Sequence, residues 1–554
     1  MIRLYITTLI LVLSIFSCKN NNQQEAREPI SKSETVEINS ELEAISTKDF
    51  REFKVLDSKN ITKADIWGEI NPQMTDFTEA DYNRLKPLIL EQDIPKLQER
   101  IVTGKFSYEE LTKFYLYRIR KFDRENSLSL NSVISINPNV IKEAQELDLR
   151  QDWDQHPIYG MPILLKDNIN ASGMVTTAGA VALKDNITDD AFIVKQLKSK
   201  GALILGKANL SEWAYFFCGD CPSGYSAMGG QTLNPYGRKT IDTGGSSSGS
   251  GVAASANFAV VTIGSETSGS ILSPASQNSV VGLKPTIGLV SRTGIVPISS
   301  TLDTAGPITR SVIDNAIVLD AIYGEDKADF KSSAIDWKST GKYFNDLKDA
   351  DITGKRFGVT KQLLEDTRFV RTITVLKQQG AEIIEIEEEQ LGLPNFLSLL
   401  NLDMKKDLPN YMANHANANM TIRTVADVMA FNLKDSLKTM PYGQKLFQGI
   451  VNDKGDAAFL EQIKATLNRN GKQYFDVPMN AHNLDGFLSI NNYHAGFAAV
   501  AEYPALTVPM GYTDKGIPKG LTFIAKSLHE KQLLQWAYVY EQATKARMAP
   551  KNYN

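Results

Sequence analysis

"TGGSSSGSGVAASANFAVVTIGSETSGSI" runs from Thr243 to Ile271 and sets the reading of the whole chain. Its first nine residues have the composition of a flexible linker, since glycine and serine bury little and lose much freedom on ordering. The residues after them are not linker sequence. "GVAASANF" reads as a packed helix and "AVVTIGSE" as a buried strand, and a second serine-glycine cluster comes directly after. Either a linker abuts a core element, or these serines do chemistry.

The same alternation continues on either side. Upstream, "ILLKDNI" is an apolar strand running into Lys166, "AFIVKQLKSKG" a helix and "ALILGKAN" a strand. Downstream, "SVIDNAIVLDAIYG" is helical, and "FLSINN", "ALTVPMG" and "GLTFIAK" return to strand character before a closing helix, "HEKQLLQWAYVYEQATKAR". Strands alternating with helices argue for an α/β layered sheet. Residues 86–150 read as helices, with "LKPLILEQDIPKLQERIVTG" and "SYEELTKFYLYRIRKFDREN" at helical spacing. Ser107 and Glu110 form a candidate capping box for the second of these. Residues 325–480 read as polar and helical, the expected seat of substrate-facing variation. No internal boundary divides residues 86–550.

Composition narrows the function classes. The 554 residues are 42% hydrophobic and 22% charged, with a net charge of −4, as in ordinary globular chains. There is no basic block, so nucleic-acid binding has no electrostatic support. Five scattered histidines make no HxxxH or HExxH, which argues against a metal site. Three cysteines are too few for a disulfide-built fold. Cys218 and Cys221 form a CxxC without a thioredoxin-like context, which leaves a structural disulfide or two quiet thiols.

The N-terminus, "MIRLYITTLILVLSIFSCKNNNQQ", has one early cation, Arg3, then an apolar stretch of signal-peptide length that ends at Ser17-Cys18. It resembles a bacterial lipoprotein signal, in which residues 1–17 are removed and Cys18 carries the lipid. A plain secretory signal or an uncleaved anchor is the alternative. Polar residues 19–60 would then form a tether, within an N-terminal extension spanning residues 18–85.

Serine is a weak nucleophile and needs a base. No histidine lies near either cluster in sequence. Lys166, at the end of an apolar strand, is the other candidate, because desolvation disfavours its charged form. A strand-end lysine that snorkels to water is the competing reading.

"GMPILLKDNI", "TGGSSSGSG" and "GSETSGSI", in this order, resemble the amidase signature family. So do "NLSEWAYF", "GGQTLNPY", "VVGLKPTIGLVSRTGIVPIS", "DTAGPITRSV" and "YPALTVPMGY". The resemblance covers about residues 90–550 and is strongest to the peptide-amidase-like branch. It implies a single large three-layer α/β/α domain with a central mixed twisted sheet covered by helices. It also implies a Ser–cisSer–Lys triad: Ser270 as nucleophile, Ser246 as bridging serine behind a cis peptide from Gly245, and Lys166 as base. Backbone N–H groups of Thr267, Ser268 and Gly269 would meet the oxyanion, with Gly245, Ser247 and Ser265 in support and no metal or organic cofactor required. The implied activity is hydrolysis of small carboxylic amides or C-terminal peptide amides by a monomer or homodimer. The chain would sit in a bacterial envelope, facing the periplasm or surface and touching the membrane only through its lipid. The alternatives are an amidotransferase-A-like protein that works on aminoacyl-tRNA, and a non-catalytic binding protein of the same fold.

Three positions depart from the family pattern. Glu266 stands where Asp is common, Ser268 where many members have Gly, and Ile271-Leu272 where many have Ile-Arg. Loss of that arginine argues for an apolar or neutral acyl side. Other motif matches fail on context. Gly245–Gly249 fits G-x-S-x-G, and Gly249–Ala254 a dinucleotide fingerprint, but "NPYGRKTID" before them is polar rather than an apolar strand. Ser339–Lys342 fits S-x-x-K without its companion motifs.

Overall fold

A computed structural model describes residues 53–124, 127–150 and 155–554. The expected signal peptide, Cys18 and the start of the tether lie outside these residues.

Among the described residues, eleven strands form one mixed sheet, and two more make a small hairpin. In chain order they are β1 (Val133–Ile136), β2 (Pro162–Lys166), β3 (Leu203–Ala208), the hairpin strands β4 (Tyr225–Ser226) and β5 (Gly230–Gln231), β6 (Val261–Glu266), β7 (Val281–Lys284), β8 (Thr304–Thr309), β9 (Arg356–Thr360), β10 (Glu382–Ile386), β11 (Gly486–Ile490), β12 (Ala505–Tyr512) and β13 (Pro518–Ile524). The order across the sheet is β1-β3-β2-β6-β8-β7-β12-β13-β11-β9-β10. β2 lies parallel between β3 and β6, while β6, β8, β7, β12 and β13 pair antiparallel in succession. Helices Ser248–Ser255 and Leu272–Gln277 pack on the middle of the sheet, and Phe192–Ser199, Val312–Ile322, Thr367–Gln378 and Glu530–Thr544 form further cover. The result is the expected single large α/β/α domain.

Apolar content explains the centre. Ile163, Leu164 and Leu165 of β2 have no exposed surface, and burying side chains of this size gives about 1.5–3 kcal/mol each. That holds β2 in the middle of the sheet and carries Lys166 inward with it.

Three local expectations change. "LKPLILEQDIPKLQERIVTG" is two helices, Glu79–Ile89 and Ile94–Val102, because Asp93 caps the second by accepting the Lys96 N–H and Pro95 suits its first turn. Residues 325–480 hold two strands as well as helices: β9 and β10 pair parallel at the sheet edge, where "EIIEI" leaves Glu382 and Glu385 exposed. The folded body also begins before residue 86. Ile66, Trp67, Tyr82 and Leu85 are buried in the main core, on two short helices that Thr62/Asp65 and Thr78/Asp81 cap reciprocally. The Ser107/Glu110 capping box forms as read. Among the described residues, no helix is long and apolar enough to cross a membrane.

Candidate active site

The opening glycine-serine tract is a held turn. Gly244 has φ +62, and a Cβ there would lie 2.7 Å from the Pro274 nitrogen, so only glycine fits. The Gly245–Ser246 peptide is cis. The tract is bonded in along its length: Ser211 donates its N–H to the Ser246 carbonyl (3.0 Å), Ser247 to that of Ser270 (3.2 Å) and Gly249 to that of Asn209 (2.9 Å). Ser248 Oγ bonds the Gly244 carbonyl (2.6 Å).

Lys166 has no exposed surface. Its Nζ donates to Ser246 Oγ (2.8 Å), Ser265 Oγ (2.9 Å) and the Ser265 carbonyl (3.0 Å). All three targets are neutral. Burial therefore dominates and lowers the Lys166 pKa to about 7, against weaker opposition from Asp303 and Glu266. Snorkelling is excluded, because the amine ends under β6 and the cis turn. Ser247 Oγ ties the same corner, donating to the Ser265 carbonyl (2.9 Å) and accepting the Ser265 N–H (3.1 Å).

Ser270 sits on the turn after β6, 9% exposed. Its carbonyl is bonded to Ser247, which brings the two serine clusters together. Its hydroxyl has no hydrogen-bond partner among the described residues, so Lys166, Ser246, Ser247 and Ser265 form one network with Ser270 beside it. Catalytic hydrogen bonds are often long without substrate and tighten when it binds. The N–H groups of Thr267, Ser268 and Ser270 likewise carry no hydrogen bond among the described residues. Gly269 departs from the expectation: its N–H is donated to Glu266 Oε1 at 2.6 Å, because a charged carboxylate within reach claims a turn amide.

Two residues were missed by the sequence reading. Asn168 donates to Ser265 Oγ (2.9 Å) and steadies the acceptor of Lys166. Its signal was its place two residues after the lysine in "KDN". Asp303 accepts from Thr267 Oγ1 (2.6 Å) and from the N–H groups of Ile298 and Ser299. Desolvation pushes its carboxyl up to about 6 despite these bonds. It lay inside the quoted "DTAGPITRSV" without a role. A cleft of about 140 Å³ runs from Asn168, Ser265 and Thr267 past Asp303 to Phe330 and Tyr411. Cys218 and Cys221 are disulfide-bonded within an apolar cluster that includes Trp213 and Phe447, in the segment whose Ala214 lines this cleft.

Comparison with known proteins points to one family. The amidase family model matches residues 110–534. A protein of Arabidopsis thaliana described as a probable amidase is 35% identical over 488 residues, 84% of this chain and 92% of that one. The A-type subunit of glutamyl-tRNA(Gln) amidotransferase from Thermoanaerobacter pseudethanolicus is 30% identical, covering 82% of this chain and 97% of that one. Among solved structures, an amidase family protein from Bacillus anthracis superposes with a TM-score of 0.85 at 37% identity, covering 89% of this chain and 99% of that one. The peptide amidase of Stenotrophomonas maltophilia gives a TM-score of 0.77 at 41% identity, covering 83% and 98%.

Proposed function

This chain belongs to the amidase family, and we propose that it hydrolyses small carboxylic amides or C-terminal peptide amides through a Ser–cisSer–Lys relay and a covalent acyl-enzyme. The observation that carries this reading is the 2.8 Å bond from Lys166 Nζ to Ser246 Oγ in a fully buried site. An amine whose pKa is near 7 is half neutral at neutral pH and serves as a base. Neutral Lys166 takes the Ser246 proton as Ser246 takes that of Ser270. Ser270 Oγ attacks the amide carbonyl. The oxyanion is met by the N–H groups of Thr267, Ser268 and Ser270 itself, where each such donor is worth about 10²–10³-fold in rate. The relay then runs in reverse to protonate the leaving ammonia or amine. Water enters by the same base, hydrolyses the ester and frees Ser270. Leu272, which stands in place of that arginine, is fully buried, which supports a neutral or apolar acyl group.

A fluorophosphonate probe tests the reading. It should label wild type and not Ser270→Ala, and a panel of amides should release ammonia only with the former. Labelling of both proteins, or of neither, would remove Ser270 from the role.

The amidotransferase relatives favour a second reading, transfer of amide nitrogen to an aminoacyl-tRNA. Ammonia release from peptide amides by the purified chain alone supports the first reading. Turnover only with tRNA and partner proteins supports the second. For location, we propose anchoring by lipid at Cys18. Lipid labelling that disappears in Cys18→Ser, with the protein moving to the soluble fraction, is the expected result; labelling that survives contradicts it.

A further inference from the structure

We infer that Glu266 is the positioning residue of the nucleophile: its buried carboxylate clamps the turn on both sides of Ser270. The inference rests on the serine-hydrolase reading of the site.

Glu266 is the last residue of β6 and is 1% exposed. It accepts N–H bonds from Gly269 (2.6 Å), Ile271 (2.7 Å) and Leu272 (3.1 Å). One side chain thus fixes the residue before Ser270 and the two after it, and leaves the Ser270 N–H out. Each bond to a charged acceptor contributes about 1.5–3 kcal/mol net. A shorter carboxylate on the same backbone would have to reach the same three amides with one methylene less. The clamp also decides which donors remain. It withholds the Gly269 N–H and leaves those of Thr267, Ser268 and Ser270 free.

A carboxylate this deep needs a partner. Burial raises the pKa of Glu266, and Lys284 is the largest influence against that rise, ahead of the three amides. Lys284 ends β7, has no exposed surface and donates to the Pro285 carbonyl (3.2 Å). Burial brings it to about 8, opposed by Glu266, then Glu530 and Glu502. Glu530 is itself held by the Thr286 N–H (2.7 Å). On the other side, Lys166 faces Asp303 and Glu266, both of which favour its charged form. Glu266 therefore ties the nucleophile turn to the base electrostatically as well as by geometry.

The two charges make linked predictions for pH dependence. In Glu266→Gln, Lys166 loses one of its two anions, so the acid limb of Ser270 labelling should move to lower pH. The rate at the plateau should fall on the order of 100-fold, the size expected when a reacting group is misplaced by about 1 Å. Glu266→Asp keeps the charge and should recover part of that loss. In Lys284→Met, Glu266 protonates more readily and Lys166 loses the same anion, so the acid limb should also move to lower pH. The measurement is the fluorophosphonate labelling rate of the full chain from pH 5 to 10, with circular dichroism to establish folding. A folded Glu266→Gln labelled at the wild-type rate with an unmoved limb would overturn the inference. Should that variant not fold, an unmoved limb in Lys284→Met would overturn it instead. Failure of wild type itself to label would sink the serine-hydrolase reading, which is a separate outcome.

Discussion

Lys166 Nζ lies 2.8 Å from Ser246 Oγ, on the far side of a cis peptide and out of contact with solvent. Eighty residues of chain separate the two, and the sheet brings them together because β2 is inserted parallel between β3 and β6. The base is thus fixed by the most buried part of the fold, while the nucleophile sits on the turn just outside it.

The first consequence is a pH profile. Burial lowers Lys166 to about 7, and only its neutral form accepts a proton. The rate constant kcat/KM should fall about tenfold per unit below pH 7 and level off above pH 8. Stability tracks the same group. An unfolded lysine titrates near ~10.4, so between pH 7 and 10 the unfolded state binds the extra proton and stability rises with pH, by up to about 1.4 kcal/mol per unit. Lys166→Met should abolish activity and flatten that rise in urea unfolding at pH 7, 8 and 9. A variant with an unchanged slope would contradict the assignment.

A second prediction concerns the strand end that presents the base. Asp167 and Lys207 form an ion pair at 3.0 Å with neither side chain exposed, and Asp167 also accepts from Thr177. Removing one partner leaves an uncompensated buried charge, at a cost of about 3–5 kcal/mol. Lys207→Met should lose stability on that scale and lose activity with it. Lys207→Met with Asp167→Asn should recover part of the stability. Denaturant midpoints decide, and a single variant as stable as wild type would show the pair to be idle.

The Cys218–Cys221 bond should stiffen one wall of the cleft. Phe217, next to Cys218, accepts the Leu446 N–H (3.0 Å) and so joins this segment to the helix Lys445–Asn452. Closing so short a loop contributes about 2 kcal/mol by chain entropy. Cys218→Ser with Cys221→Ser should lose about that much, and KM should rise more than kcat falls, since Ala214 of the same segment lines the cleft. Mass spectrometry should find alkylation of these cysteines only after reductant. Two thiols that alkylate without it would contradict the bond.

Much of this was legible in the residues. The inner strands announced themselves as apolar runs, and the two serine clusters lay at element ends. β9 and β10 were not legible, since an edge strand such as "EIIEI" keeps polar side chains that a helix would also expose. The break at Asp93 was hidden by apolar residues that continue the helical spacing across it. The burial of Lys166 could not be read either. A strand-end lysine reaches water or not according to what covers it, and here Ser246 and Ser265 arrive from elsewhere in the chain. The same distance in sequence concealed Asn168 and Asp303, and the reach of Glu266 to Gly269 showed only once the turn was folded.

The most direct test is to find the acyl group. Wild type turning over an activated amide, quenched in acid and mapped by peptide mass spectrometry, should carry the acyl mass on Ser270. Ser270→Ala should carry none. Acyl mass on Ser246 or on any other residue of the wild type, or amide turnover undiminished in Ser270→Ala, would contradict the account.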